Sequence, residues 1–135
     1  MAAFIDTSIF VAVRNKRDKN HIRSRQLLEK ALQGEYGKIY TSDYIAAEAI
    51  TTALTRTHTH QIALNTGRLI IESPRIEKIY VGPEQFKLAW EKFQKLKGKF
   101  MSFTACSSLA LIEEHGINRI MSFDGNFDGL IARIH

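Results

Sequence analysis

The chain is poor in the residues that most constrain a fold from outside. It has 135 residues, with one cysteine, Cys106, and two prolines. A lone thiol cannot close an internal disulfide, so the oxidised scaffold of small secreted domains is excluded and a reducing cytoplasm is expected. Scarce proline and the lack of any low-complexity tract exclude a disordered or polyproline chain. No apolar run approaches the roughly 18 residues that argue for a membrane span, so no membrane partner is expected. The first apolar run is interrupted by Asp6 and preceded by no basic stretch, so no secretory signal is expected. The glycines are scattered and no Gly-Lys-Ser/Thr occurs, which excludes a phosphate-cradling loop of that kind. No histidine is placed to activate Cys106, so that thiol reads as core.

Hydrophobic residues make up 44% of the chain and charged residues 24%, enough for a core and for solubility in a single domain spanning 1–135. Nineteen Lys and Arg against fourteen Asp and Glu give a formal charge of +5. That balance favours an anionic partner, with nucleic acid foremost; plain solubility is the competing explanation.

Short apolar runs alternate with helical periodicity. Ala2 to Ile5 reads as a buried strand, and Ser8 to Val13 starts a helix before the charged break of Asn15 to Asn20. Ile22, Leu27, Leu28, Ala31 and Leu32 recur at helical spacing, and Gly34 and Gly37 mark the turn that follows. Lys38 to Thr41 is a second strand. Ser42 or Asp43 caps a helix reaching about Thr57, and another helix spans Thr59 to Glu72. Residues 43–72 together read as a lobe beside the sheet. Arg75 to Val81 is a strand, Pro83 opens a helix that Gly98 ends, and Phe103 to His115 is a helix stopped by Gly116. Arg119 to Phe123 is a strand, and Leu130 to Ile134 an edge strand. Strands separated by helices imply crossovers, hence an α/β fold with a mainly parallel sheet covered on both faces.

Acids at the carboxyl ends of strands in such a sheet converge where these folds place their sites. Asp6 closes the first apolar run and Asp124 closes Ile120-Met121-Ser122-Phe123. Each also has a structural reading: Asp6 as a helix cap, Asp124 as turn chemistry ahead of Gly125 and Asn126. Glu48 falls beside the apolar stripe of its helix with Thr51, Thr52 and Thr55, where periodicity favours a solvated face. The small residues Ala46, Ala47 and Ala49 would let another element approach it. Asp128 reads as a turn or surface acid. His58 and His60 read as a surface turn, since residues two apart do not share a helical face. Lys92, Lys95, Lys97 and Lys99 form a basic run near Phe93 and Phe100, either solvated or in contact with phosphate. Arg14, Lys16, Arg17 and Lys19 are placed to flank a site for an anionic polymer.

Taken together, Phe4-Ile5-Asp6-Thr7-Ser8, Glu48 in its alanine-rich helix, Ser102-Phe103-Thr104-x-Cys106 and Ser122-Phe123-Asp124-x-x-Phe127-Asp128 resemble the PIN domain, in particular the VapC-like toxin ribonucleases. The resemblance runs the length of the chain. It implies a three-layer α/β/α sandwich and an Mg²⁺- or Mn²⁺-dependent endoribonuclease. It also implies a protein antitoxin as partner and a homodimer. Carried over by position, Asp6, Glu48 and Asp124 match the metal-binding acids and Asp128 an accessory acid. Thr7, Ser8 and Thr104 match hydroxyls lining the site. The family's remaining metal-binding aspartate falls at Ala105, which has no donor atom. Loss of one such electrostatic group predicts a rate deficit of about 10²–10³. The survival of the rest of the pattern favours deliberate substitution at 105 over natural decay.

Two alternatives stand beside the nuclease. A non-catalytic PIN module would bind RNA or a protein without using the acids. An aspartyl-phosphate enzyme of the haloacid dehalogenase type would need a second acid two residues after the first, where this chain has Ser8.

Overall fold

A computed structural model describes all of residues 1–135. Five strands form one sheet: β1 (Ala2–Ile5), β2 (Lys38–Ser42), β3 (Ile76–Ile79), β4 (Arg119–Met121) and β5 (Ala132–Ile134). Their spatial order is β3-β2-β1-β4-β5 and every pair is parallel. Six helices connect them: α1 (Thr7–Arg14), α2 (His21–Leu32), α3 (Asp43–Thr57), α4 (His60–Ile71), α5 (Pro83–Lys95) and α6 (Phe103–His115). α1 to α4 pack among themselves and α5 packs on α6, giving the expected three layers.

The strands are buried because both sheet faces are covered. Phe4, Ile5, Ile39, Ile76, Ile120 and Met121 are all essentially inaccessible and belong to one core. Burying each such side chain contributes roughly 1.5–3 kcal/mol. The chain builds outward from β1 to β2 and β3, then crosses back to place β4 on the other side of β1. The order therefore reverses between β1 and β4, and the crevice at their carboxyl ends is where such folds bind ligands.

Local chemistry sets the helix limits. Ser42 Oγ accepts the Ile45 N–H at 3.1 Å and Ser102 Oγ accepts the Ala105 N–H at 3.0 Å. Gly116 ends α6 in the left-handed region at φ 64°, where a side chain is strained. Gly37, at φ 78°, lies so close to the Met1 carbonyl oxygen that an added Cβ would sit 2.1 Å from it.

Four boundaries differ from the sequence reading. α5 ends at Lys95, not at Gly98. Leu96 turns inward onto the core and a Lys99 N–H to Leu96 carbonyl turn follows, with Gly98 outside the left-handed region. β3 is shorter than Arg75 to Val81, because the Val81 N–H leaves the sheet to donate to Asp43 Oδ1 at 2.9 Å. β4 stops at Met121, since Phe123 N–H donates to Ser8 Oγ. β5 begins at Ala132, after a 3₁₀ turn at Gly125–Phe127. Residues 43–72 form a hairpin of α3 and α4 that packs on α1.

Candidate functional site

Asp6 stands at the N-cap position of α1, yet its carboxylate makes no capping bond. Instead Oδ2 accepts the Ser122 hydroxyl at 2.6 Å, and its backbone N–H donates to the Met121 carbonyl at 3.0 Å. The capping explanation for this acid is therefore not realised. Asp6 is 8% exposed. Burial pushes its pKa up from 3.8 to about 6, against the opposing effects of the Ser122 hydroxyl and the Thr7 backbone N–H. The negative charges of Glu48 and Asp124 raise it further. Acids from the start, the middle and the end of the chain thus act on one another at this edge.

Asp124 sits just beyond β4. Its Oδ1 accepts the Asn126 N–H at 2.9 Å, which is the turn role open to it, and its own N–H donates to Ser122 Oγ at 3.0 Å. Ser122 therefore grips one acid through its hydroxyl proton and positions the other through its oxygen. Glu48 is half-buried on α3. It shares a shallow cleft of about 430 Å³ with Tyr44, Thr51, Thr52 and, from α6, Thr104. The fully solvated face favoured by periodicity does not describe it, because the start of α6 comes up beside α3.

The remaining residues divide. Thr7 Oγ1 is buried beside Asp6 in sequence and has no hydrogen-bond partner. Ser8 Oγ accepts the Phe123 N–H at 3.0 Å, which holds the exit of β4. Ala105 is 6% exposed at the first turn of α6. Asp128 lies on the surface and is committed elsewhere: Arg133 donates to both its oxygens, at 2.8 and 3.1 Å. That hydrogen bond holds the Asp128 pKa below its usual value. His58 closes α3 in the left-handed region and His60 opens α4, both exposed, as a surface turn requires.

Two contributors escaped sequence reasoning. Ser122 was visible as part of a motif but carried no role, because the target of a hydroxyl is set by the tertiary fold. Arg133 donates to the Ser122 carbonyl at 3.1 Å as well as to Asp128, and it feels the charge of Asp124. Arg23, at the start of α2, donates to the His135 carbonyl just past β5. The start of α2 therefore reaches the carboxyl edge of the sheet at β5.

No group of three or more His, Cys, Asp or Glu side chains is drawn together tightly enough to enclose an ion. The donor chemistry still fits a hard cation. Asp6, Glu48 and Asp124 offer only oxygen, and the orphaned Thr7 hydroxyl adds a buried polar atom that lacks a partner. Mg²⁺ and Mn²⁺ sites are oxygen-rich, and Mg²⁺ keeps several waters, so close protein ligation by every acid is not required.

A doubly wound parallel sheet with buried and half-buried carboxylates at its switch point defines the class: a three-layer α/β/α domain with an acidic edge. The family model described as PIN domain matches residues 3–130, and the chain belongs to the PIN-domain family. Among curated relatives, it is 27% identical over 128 residues to a VapC ribonuclease of Archaeoglobus fulgidus, covering 94% of this chain and 80% of that protein. It is 26% identical over 125 residues to the 23S rRNA-specific endonuclease VapC20 of Mycobacterium tuberculosis, covering 92% and 90%. The crystal structure of the M. tuberculosis VapC20, described as a Sarcin-Ricin loop cleaving toxin, superposes with a TM-score of 0.84 at 24% identity over 95% and 94% of the two chains. A Rickettsia felis VapBC2 complex bound to a promoter DNA fragment superposes with a TM-score of 0.66 at 14% identity over 99% and 98%.

Proposed function

We propose that the chain is a divalent-metal-dependent endoribonuclease acting as the toxin of a toxin–antitoxin pair, with turnover reduced by Ala105. The observation that carries this reading is the environment of Asp6: buried, raised to about 6, and under the fields of Glu48 and Asp124. Such concentrated negative charge is costly unless a cation offsets it. Asp6, Glu48 and Asp124 would hold Mg²⁺ or Mn²⁺. When bound, the ion lowers the pKa of a coordinated water and screens the attacked phosphate.

The chain's own residues do the positioning. Ser122 fixes the Asp6 carboxylate and aims the backbone of Asp124. Thr104 offers a hydroxyl to the bound strand or its water, and the buried Thr7 hydroxyl would be left for the ion or its water. Ser8 sets the strand exit from which Asp124 projects. Asp128 serves indirectly, by orienting Arg133. Lys and Arg side chains at this edge, Arg23 and Lys97 among them, meet RNA phosphates, so binding weakens as salt rises. The VapC ribonuclease relatives support RNA as substrate, and the VapBC2 complex supports an antitoxin partner. Homodimerisation and a cytoplasmic location complete the reading.

Ala105→Asp tests it. With Mg²⁺ or Mn²⁺ present, the variant should cleave single-stranded RNA and bind Mn²⁺ more tightly by calorimetry. Absence of both gains across varied RNAs overturns the nuclease. The missing donor at 105 favours one alternative, a PIN module that binds without catalysis. It expects RNA retention to be indifferent to Asp6→Asn and Glu48→Gln.

A further inference from the structure

Phe100 is 97% exposed, more than any other large apolar residue in the chain. Isolated exposed apolar side chains are ordinary, so exposure alone decides nothing here. The anchoring of its backbone does. The Phe100 carbonyl accepts the Asn126 side-chain amide at 3.3 Å. Lys99 Nζ donates to the Asn126 and Asp128 carbonyls at 3.0 and 2.8 Å. The Asn126 N–H in turn donates to Asp124 Oδ1. The segment bearing Phe100 is thus tied to the turn bearing Asp124, and two residues later Ser102 caps α6 at Ala105.

The surroundings are of one charge. Phe93, Lys97, Lys99 and Phe100 help line a cleft of about 500 Å³, and its lining contains no acid. Phe93 already has ring partners, stacked with Trp90 and tilted on Phe103. Phe100 has none. A free ring beside lysines, rigidly tied to a site for phosphodiester chemistry, matches how single strands are held: bases stack on aromatics while cations follow the backbone.

We propose that Phe100 is a base-stacking platform for single-stranded RNA entering the acidic edge, with Lys97 meeting the neighbouring phosphate. This inference rests on the RNA reading of the same site. Lys99 acts as the strut that ties the platform to the Asp124 turn.

The test is fluorescence anisotropy with a short labelled oligoribonucleotide, on the full chain with Ala105 present and cleavage suppressed. Phe100→Ala should weaken binding by about 5- to 150-fold, the range for loss of one stacked base. It should leave the melting temperature unchanged, since the ring touches almost nothing. Phe100→Trp should retain affinity. An oligonucleotide with abasic sites should bind the parent weakly and bind Phe100→Ala no more weakly than that. Lys97→Ala should lower the slope of log affinity against log salt by about 0.7. If the parent binds RNA and Phe100→Ala binds equally well, the platform is overturned while the nuclease reading stands. If the parent binds no RNA, both fall. If Phe100→Ala changes the mass in light scattering and leaves RNA affinity intact, the ring is a contact between copies, and the platform is again overturned.

Discussion

Asp6 and Asp128 are both acids at the carboxyl edge of the sheet, and the fold treats them in opposite ways. Asp6 is buried, grips a neutral hydroxyl, and has its pKa pushed up to about 6. Asp128 is exposed, grips the Arg133 guanidinium, and has its pKa held down. The first carries unmet negative charge, held in place without being neutralised. The second is already neutralised by the protein and has little left to offer a ligand. Position at a strand exit therefore does not by itself leave an acid free for a ligand; an uncompensated charge does.

The largest expected break in this comparison comes from adding a fourth acid to Asp6, Glu48 and Asp124. Ala105→Asp should raise metal-dependent RNA cleavage by about 10²–10³ if the missing carboxylate is what limits turnover. Without metal, the same change should lower the melting temperature, because like charges then face one another at the buried end. Unchanged stability in chelator would show that position 105 does not feel the Asp6 field.

The next effect concerns pH. The folded protein binds the Asp6 proton more tightly than the unfolded chain does, so this residue costs nothing below about 3.8 and its full cost is reached above about 6. Stability from this source falls as pH rises through that window. Asp6→Asn keeps an oxygen for Ser122 and removes the charge. It should stabilise the metal-free protein by about 3 kcal/mol at pH 8, with the gain vanishing below about pH 4. Denaturant melts at several pH values check this, and a gain independent of pH would contradict the raised pKa.

Ser122→Ala comes third. It removes the buried donor to Asp6 and the acceptor of the Asp124 N–H, and should cost about 1–3 kcal/mol. The Asp6 pKa, followed by NMR, should climb further, since the hydroxyl currently lowers it. Smallest of all is Asp128→Ala. Asp128 is exposed and Arg133, though largely covered, keeps its bond to the Ser122 carbonyl, so the melting temperature should fall less than for Ser122→Ala, with the change centred on the setting of Arg133.

The sequence made most of the fold legible through strong local signals. The apolar run of β1, the helix start at Ser42 or Asp43 and the Gly116 stop all sit where the local signals place them. The carboxyl end of the chain was harder. β5 has three residues and no period to read. It is reached from β4 through a turn shorter than the dozen or more residues a parallel crossover usually takes. For the site, Asp6 and Asp124 were visible as acids ending apolar runs. Glu48 was obscured, because helical spacing reports its own helix and not the approach of α6. Ser122 and Arg133 carried no local signal, since their partners are fixed only when β1, β4 and β5 align.

The grip of Ser122 on Asp6 spans 116 positions of the polymer. During synthesis Asp6 emerges long before the hydroxyl that orients it. A growing chain must therefore carry this acid loose until β4 has been translated, which makes assembly of the charged edge wait on the fourth strand.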